Sequence, residues 1–399
     1  MEVEKLWTKN FIIISIINLL LTTVIFLLLV TIAPYSVEKL DASTSLAGLI
    51  SGIFIIGVLM GRLITGRFIQ SIGSRKILFI GLFAFIFTTA LYFIALNIPL
   101  LLITRLVHGF TLGIASTATG TIVAQIIPVA RRGEGIGFFS LSSILATAIG
   151  PFLGILFLQL FSSYNVIFLL NLVLASSCLL IALMVKTSSV ITSHKKDENQ
   201  KKGVSIRDYL EFKTIPISIV AMLAGFSFSG IMSFISFYTE EIGLVKVGSI
   251  FFVIYATVIL LSRPFTGRIM DQKGANIIIY PCLTLYAIGM LLFSQAQHGY
   301  TILLAAVLIG LGYGNFHSIA QAIAIKKVPV HRLGLATSTY FIFFDLGLGI
   351  GPYLIGSLVT ITGYRGVYLT MVMVILLSIV LYYFLHGRKE KTLNHALSS

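Results

Sequence analysis

The 399-residue chain has few charges, few cysteines and few acidic residues. Charged residues make up only 11% of the sequence, whereas 57% of residues are hydrophobic and the mean hydropathy is +1.02. A soluble protein of this length could not cover its surface with so few polar side chains. The composition therefore excludes an ordinary soluble protein and indicates one that lies largely within a lipid bilayer.

The motifs of common enzyme sites are also missing. The two cysteines, Cys178 and Cys282, lie in predicted hydrophobic spans without metal-ligand spacing, and a disulfide between them is not expected. The sequence contains no G-x-x-x-x-G-K-[ST] loop, no metal-ligand cluster and no catalytic triad pattern. We therefore predict that the protein is not an enzyme, does not use ATP, and needs neither a metal nor another cofactor.

Hydrophobic runs of about 20 residues recur along the whole chain, and each could cross a bilayer core as a helix. Period-2 alternation, which a membrane barrel needs, is absent. The first run is not followed by a small-residue cleavage site, so we interpret it as a retained helix. The twelve predicted spans cover residues 11–33, 46–65, 77–97, 99–125, 135–160, 164–186, 214–238, 247–266, 276–296, 300–325, 336–360 and 364–386.

Acidic residues are half as common as basic ones, 14 against 28, and the net charge is +14. Binding to nucleic acid is not expected, because the basic residues follow the predicted topology. If the N-terminus is cytoplasmic, 24 of the 28 lie in inner loops, inner helix ends or tails, Arg105 lies within a span, and only Lys39, Lys246 and Arg365 fall in outer loops. This positive-inside pattern predicts that both termini are cytoplasmic.

A long polar linker, residues 187–213, separates six spans from six. We predict a six-helix bundle at 1–186, this cytoplasmic linker, and a second six-helix bundle at 214–399 that ends in a short tail. The halves also repeat each other at a constant offset of 201 residues. "RLITGRFIQSIGSRK" at 62–76 aligns with "RPFTGRIMDQKGANI" at 263–277, and Gly150-Pro151 aligns with Gly351-Pro352. Parallel repeats of this kind predict a substrate site between the halves, near the middle of the membrane.

This pattern resembles the major facilitator superfamily over essentially the whole chain. The family motif in the loop between helices two and three reads approximately G-x-L-A-D-R-x-G-R-K, and Gly66, Gly73, Arg75 and Lys76 match it. Gln70 replaces the aspartate of the motif. The second copy, in the loop between helices eight and nine, keeps an acid: its residues are Gly267, Arg268, Asp271 and Gly274. The resemblance implies that this loop latches the cytoplasmic side, although Gln70 cannot supply a charge.

Charged residues inside the spans are functional candidates, because burying a charge in a bilayer is costly. Asp345 is the only acid predicted well inside a span, and its carboxyl could carry a proton or attract a cationic substrate. It could instead bond structurally to a neighbouring helix. Arg105 matches the family's helix-four motif together with Gly109, and the resemblance implies a part in proton coupling. It could also be anchored to backbone carbonyls.

Other polar residues in the spans are weaker candidates. His108 and His317 could relay protons, because histidine titrates near physiological pH, or they could be hydrogen-bonded packing residues. Four further polar side chains are predicted to line the cavity: Asn18, Gln125, Tyr255 and Asn315.

A proline and its neighbouring glycines suggest the direction of transport. "ATAIGPFLGI" at 146–155 resembles the helix-five motif of antiporters in the family, with Gly150, Pro151 and Gly154 matching. Proline bends a helix, and glycines let a neighbouring helix approach closely. The resemblance implies export rather than import.

We therefore predict a proton-coupled exporter of small molecules that works by alternating access, with lipophilic or drug-type substrates. The alternatives are an exporter dedicated to one endogenous metabolite, such as a metallophore or sugar, and a proton-coupled nutrient importer. The expected partners are the substrate, protons and the bilayer. The expected location is the plasma membrane, in a bacterium, and the family resemblance implies a monomer.

Overall fold

The computed structural model describes residues 6–185, 206–326 and 328–388, and this part of the chain consists of helices and the connections between them. Within these ranges, twelve helices are long and apolar enough to cross a membrane. The predicted all-helical fold class with twelve spans is therefore confirmed. Residues 186–205, which include most of the predicted linker (187–213), and the tail from residue 389 lie outside the described residues.

The helices are numbered in chain order, and we refer to the end of each that the charge pattern predicts to be cytoplasmic as its inner end. Nine of the twelve described spans are simple α-helices: α1 (Lys9–Leu40), α2 (Thr44–Ile72), α3 (Ser74–Ala90), α4 (Ile98–Ile126), α5 (Arg132–Phe161), α6 (Tyr164–Ala182), α7 (Ile215–Glu241), α8 (Val245–Lys273) and α9 (Asn276–Ser294). The remaining spans are α10 (Gly299–Lys326), α11 (Val330–Gly356) and α12 (Ile361–Gly387).

The last three spans depart from regular α-helix at defined points. The span α10 contains a π-helical segment, Gly310–Gly314, in its middle. The spans α11 and α12 run on as one helical stretch, Leu333–Tyr382, which is broken at Gly363, where φ is 65°. Because glycine has no Cβ, it adopts this left-handed conformation without strain.

The repeated basic stretch is mostly helix, not loop. The predicted spans end at residues 65 and 266, but α2 continues to Ile72 and α8 to Lys273. The turn is confined to Gly73 and Gly274, whose φ angles are 94° and 86°. Arg62 and Arg263, about one turn before these extra turns, are buried, 6% and 1% exposed. Hydropathy alone ends a span where charges begin, so it missed these turns.

The chain divides into two compact units. Unit one comprises Met1–Pro128, Ser142–Phe212 and Val328–Ile342, and unit two comprises Val129–Leu141, Lys213–Lys327 and Phe343–Ser399. Each unit therefore takes most of its residues from one half of the sequence and a short segment from the other. The short segments are the inner parts of α5 and α11.

In unit one, α2 and α4 lie unusually close together. A Cβ at Gly57 would lie 2.0 Å from the Leu106 carbonyl oxygen, and one at Gly109 would lie 2.0 Å from that of Phe54. The glycines thus let the two backbones touch, as small residues do between membrane helices. This packing sets the polar side chains of α4 directly against the backbone of α2.

Candidate functional site

The acid in the second copy of the repeat, Asp271, binds the inner end of α5 within unit two. Its carboxylate accepts hydrogen bonds from the backbone N–H groups of Gly133 and Glu134, both at 3.0 Å. The first N–H groups of a helix have no partner within the helix and carry partial positive charge, so a carboxylate is favourable there. Lys326, at the end of α10, forms an ion pair with the same carboxylate.

Glu134, beside this contact, joins two arginines. Its carboxylate lies 2.7 Å from the Arg131 guanidinium and 3.0 Å from that of Arg268 in α8. The Glu134 side chain is only 5% exposed, whereas Arg268 is 61% exposed. Since a buried carboxylate without a counter-ion is costly, the two arginines fix the position of this helix end.

The backbones of α8 and α5 also touch at this point. A Cβ at Gly267 would lie 2.7 Å from the Glu134 Cα atom. The predicted motif glycine of the second copy is therefore the site where α5 approaches α8, whereas Gly274 forms the turn.

The equivalent arrangement in unit one joins α2 to the inner part of α11. A Cβ at Gly66 would lie 2.7 Å from the Ser338 Cβ atom. The Ser338 hydroxyl donates a hydrogen bond of 2.6 Å to the Arg62 carbonyl oxygen. The Arg62 guanidinium lies over the Phe341 ring, 4.5 Å from its centroid. Gly66 and Gly267 thus hold the same place in the two units, as the 201-residue offset predicts.

The end of the linker supplies the carboxylate of unit one. Glu211 forms an ion pair with Arg332, and the Glu211 N–H donates a hydrogen bond of 2.9 Å to the Thr339 hydroxyl. The neighbouring Tyr209 forms a hydrogen bond with Arg67, whose guanidinium lies 4.7 Å from the tyrosine ring centroid. The arginines Arg67 and Arg332 correspond to Arg268 and Arg131 of unit two at the 201-residue offset.

The two glutamates of these contacts, Glu134 and Glu211, were not predicted from the sequence. Glu134 is the only acid between Asp41 and Asp197, in the otherwise basic turn "ARRGEGIG", and that isolation was a usable signal. No comparable signal pointed to Glu211. The 201-residue offset pairs Glu134 with Leu335, so the repeat did not predict a carboxylate in unit one.

The remaining predicted residues of the first loop motif do not join these contacts. Gln70 and Lys76 are exposed, and Arg75 is half-buried with its guanidinium 5.9 Å from the Phe79 ring centroid. Gln70 therefore lies on the surface of unit one, while the ion pair there is made by Glu211 and Arg332.

Arg105 is buried in unit one, 1% exposed. Its Nε donates to the Ile50 carbonyl oxygen at 3.2 Å, and one terminal nitrogen donates to that of Ser51 at 3.3 Å. The other terminal nitrogen donates to the Tyr92 hydroxyl at 3.3 Å, and the Phe54 ring centroid lies 4.4 Å from the guanidinium carbon. The cation is thus held by carbonyls, a hydroxyl and an aromatic ring, which suits its charge in a low-dielectric environment.

His108 belongs to the same cluster. Its Nδ1 lies 3.1 Å from the Tyr92 hydroxyl, and its Nε2 lies 3.2 Å from the Thr89 hydroxyl. The Phe85 ring stacks on it at a centroid distance of 4.6 Å. The structure therefore brings together two predicted candidates, Arg105 and His108, through one tyrosine that the sequence analysis did not single out.

Two of the predicted cavity residues make hydrogen bonds elsewhere in unit one. The Asn18 amide donates to the Ser142 and Ser143 hydroxyls of α5 at 2.7 and 2.8 Å. The Gln125 carbonyl oxygen accepts from the Ser74 hydroxyl at 2.9 Å. Asn18 links α1 to α5, whereas Gln125 links the inner ends of α4 and α3.

Asn315 lies in a buried polar cluster of unit two. Its amide nitrogen donates to the Ser262 hydroxyl at 2.9 Å, and its oxygen accepts from the Thr266 hydroxyl at 3.0 Å. The guanidinium of Arg263 donates to the Gly314 carbonyl oxygen at 2.8 Å and also binds Ser318. Arg263 is the first residue of the second copy of the repeat, where the sequence explained it only by the positive-inside pattern. Its burial in this cluster indicates a structural role as well.

The other candidates of unit two lie among aromatic rings. His317 lies 4.2 Å from the Phe344 ring centroid, and Phe344 directly precedes Asp345. Asp345 is half-buried in α11. Tyr255 is 4% exposed and stacks on Phe228 at 5.2 Å. His317 therefore contacts the residue that precedes Asp345 in unit two, whereas Arg105 belongs to unit one.

The glycines of the helix-five motif mark a close contact between α5 and α1. A Cβ at Gly150 would lie 2.7 Å from the Phe26 Cβ atom, and one at Gly154 would lie 3.1 Å from a Val30 methyl group. At the corresponding Gly351, beside Pro352 in α11, an added Cβ would lie 2.9 Å from the Cβ atom of Ser229 in α7. Each Gly-Pro helix is therefore packed against the first helix of its half.

We expect Gly150→Ala to lower the thermal stability of the protein, because the added methyl group would overlap the α1 backbone. Overpacking of this kind costs about 1–3 kcal/mol. The matched control is Gly52→Ala, where a Cβ would meet nothing within 4 Å. Melting of both variants in detergent, followed by size-exclusion chromatography, checks this; equal melting temperatures would contradict it.

Comparison with known proteins agrees with this architecture. The family model described as "Major Facilitator Superfamily" matches residues 14–300 and 247–398, which overlap. An uncharacterized MFS-type transporter of Methanocaldococcus jannaschii is 24% identical over 337 residues, covering 83% of this chain and 86% of that protein. The uncharacterized MFS-type transporter YhhS of Escherichia coli K12 is 24% identical over 385 residues, covering 93% and 91%.

Two further similarities are narrower in what they show. The multidrug resistance protein MdtG of Salmonella typhi is 31% identical over 172 residues, which is 41% of each chain. The crystal structure of the human organic anion transporter MFSD10 (TETRAN) superposes with a TM-score of 0.72, covering 93% of this chain and 98% of that one at 18% identity. At that identity the match shows the fold alone. With the family model spanning nearly the whole chain, this multi-pass membrane protein belongs to the major facilitator superfamily of transporters.

Proposed function

We propose that the chain is a proton-coupled exporter of small molecules that works by alternating access. The proposal keeps the predicted arrangement of two six-helix halves, both termini in the cytoplasm, and a monomer. Lipophilic or drug-type compounds are the proposed substrates, and the proton gradient is the energy source.

The observation that carries alternating access is the way α5 and α11 contribute to both units. The inner part of α5 belongs to unit two and its remainder to unit one, and α11 does the reverse. Both inner parts are held by polar contacts, at Glu134 and Asp271 in one unit and at Ser338 and Arg332 in the other. We propose that transport breaks and re-forms these contacts at the inner parts of α5 and α11.

Two features support proton-coupled export. Asp345 is a half-buried carboxyl in α11, one residue from a ring that touches His317, and it is the proposed proton carrier. The tight contact of the Gly150-Pro151 region with α1 supports export, because a sealed helix pair can separate the two sides while the occupant is exchanged. The partial similarity to a multidrug resistance protein agrees with drug-type substrates.

Ethidium transport into inverted membrane vesicles tests the proposal. Uptake that depends on a proton gradient and stops with a protonophore would support proton-driven export. If folded and inserted protein moves no ethidium, an exporter dedicated to one metabolite is favoured instead. Accumulation of a labelled nutrient in intact cells would instead indicate an importer.

We expect Gln70→Asp to be tolerated. Gln70 is exposed at the end of α2, and the ion pair of unit one is already made by Glu211 and Arg332. An extra surface carboxylate contributes less than about 1 kcal/mol there. Transport within about fivefold of the unmodified protein is expected; misfolding or inactivity would show that Gln70 has a structural role of its own.

A further inference from the structure

A groove of about 370 Å³ lies within unit two, at the inner ends of α8 and α9. Three helices form it. Residues of α8 and α9 make the two walls, and Leu311 and Asn315 of α10 make the floor. The volume is in the range of small-ligand sites. The groove is separate from the contacts of Glu134 and Asp271 described above.

The walls of the groove are apolar and open at the surface. Ile269 is 37% exposed and Ile277 is 51% exposed, and Pro281 is exposed as well. The α9 wall spans the nine residues from Ile277 to Leu285, roughly 12 Å of helix. An apolar groove of this length between two membrane-spanning helices has the shape and polarity that suit a hydrocarbon chain.

The polar groups of the floor are occupied by one another. The Asn315 amide nitrogen donates to the Leu311 carbonyl oxygen at 3.0 Å, and its oxygen accepts from Thr266 at 3.0 Å. The Cys282 thiol donates to the same Leu311 carbonyl at 3.5 Å. Because these polar groups are hydrogen-bonded to one another, an occupant of the groove need not form hydrogen bonds with the floor. This suits an acyl chain.

A lysine, Lys273, lies at the open end of the groove. Lys273 is the last residue of α8 and is exposed. The nearby Arg268 and Lys326 bind Glu134 and Asp271, but no carboxylate of the described residues lies within ion-pair distance of Lys273. The position that corresponds to it in the first half of the sequence is Ile72, so the repeat does not require this charge.

We propose that this groove binds one anionic phospholipid, with its headgroup at Lys273 and part of one acyl chain between α8 and α9. A lysine at the membrane surface attracts an anionic headgroup. From Lys273 to Leu285, the apolar walls provide a hydrophobic surface that runs towards the middle of the membrane. The combination selects a lipid by charge at one end and by shape along the rest.

Native mass spectrometry of the purified full-length protein tests this. Phosphatidylglycerol and phosphatidylcholine with the same acyl chains are added in turn, and the first bound lipid is quantified. We expect phosphatidylglycerol to bind about fivefold more tightly, the preference that one lysine gives at a surface. Lys273→Gln removes that preference. Lys76→Gln, at the exposed lysine that follows Gly73 in unit one, keeps it.

A second variant separates the groove from surface charge alone. Leu285→Trp fills the end of the groove farther from Lys273 without changing any charge, and we expect it to reduce the occupancy of the first phosphatidylglycerol. Equal binding of the two lipids, an unchanged preference in Lys273→Gln, an equal loss in Lys76→Gln, or full occupancy in Leu285→Trp would each overturn the proposal. The measurement reads lipid binding only, so it does not depend on the transported substrate.

Discussion

Replacing Asp345 by asparagine is expected to reduce proton-driven transport to the background of vesicles that lack the protein. Asparagine has nearly the same size and shape, but it cannot bind and release a proton. The fold should survive, since Asp345 is only half-buried and the substitution preserves its hydrogen-bonding oxygen. Energy coupling, rather than substrate passage, is the function that the variant should lose.

Substrate uptake into inverted vesicles with an imposed proton gradient measures proton-driven transport. Exchange of labelled for unlabelled substrate without a gradient is the second readout. We expect exchange to persist in Asp345→Asn and Asp345→Glu to restore part of the uphill transport. Asp41→Asn is the matched control, because Asp41 is exposed and its left-handed backbone, φ 52°, suits asparagine. Full proton-driven transport by Asp345→Asn would refute its assignment as proton carrier.

Replacing Glu134 by glutamine is expected to loosen the inner end of α5 and to impair transport. The neutral amide can no longer pair with both Arg131 and Arg268. Charge-assisted hydrogen bonds contribute about 1.5–3 kcal/mol each, and the 61% exposure of Arg268 lowers that value. We expect a loss of about 1–2 kcal/mol, which is a factor of about 5–30 in the equilibrium between the bound and released helix end.

A reporter cysteine makes that equilibrium visible. Ser140 is buried in the inner part of α5, and the native cysteines, Cys178 and Cys282, are buried as well. In a Ser140→Cys background, Glu134→Gln should raise the rate of maleimide labelling from the inner side by the same factor. The control is Glu240→Gln, at an exposed acid of α7. Unchanged labelling and unchanged transport would mean that the pairing does not hold α5.

Hydropathy predicted the twelve spans and the fold, because a run of apolar residues has only one way to satisfy its backbone in lipid. It ended α2 and α8 too early, just before Arg67 and Arg268, because it places charged residues outside the membrane. In the folded units, Arg62 and Arg263 are buried against neighbouring side chains and carbonyls. Such burial depends on partners distant in sequence, so no local pattern could reveal it.

The candidate residues show the same limit. Arg105 and His108 were predicted from their place in one helix, but Tyr92, which joins them, comes from the turn before it. Glu211 was assigned to a solvated linker because its neighbours are polar, whereas the structure buries it beside Arg332. The repeat predicted which arginines correspond, and it could not predict that the two units draw their carboxylates from different parts of the chain.

The division of α11 between the two units has a consequence for how the protein is made. Unit one is completed by Val328–Ile342, a segment that leaves the ribosome long after the first six helices. Until then, the face of α2 at Gly66 and the Arg62 carbonyl oxygen lack their Ser338 partner. Unit one therefore cannot complete this contact until α11 has been synthesised, and a chain truncated before α11 leaves that face of α2 without its partner.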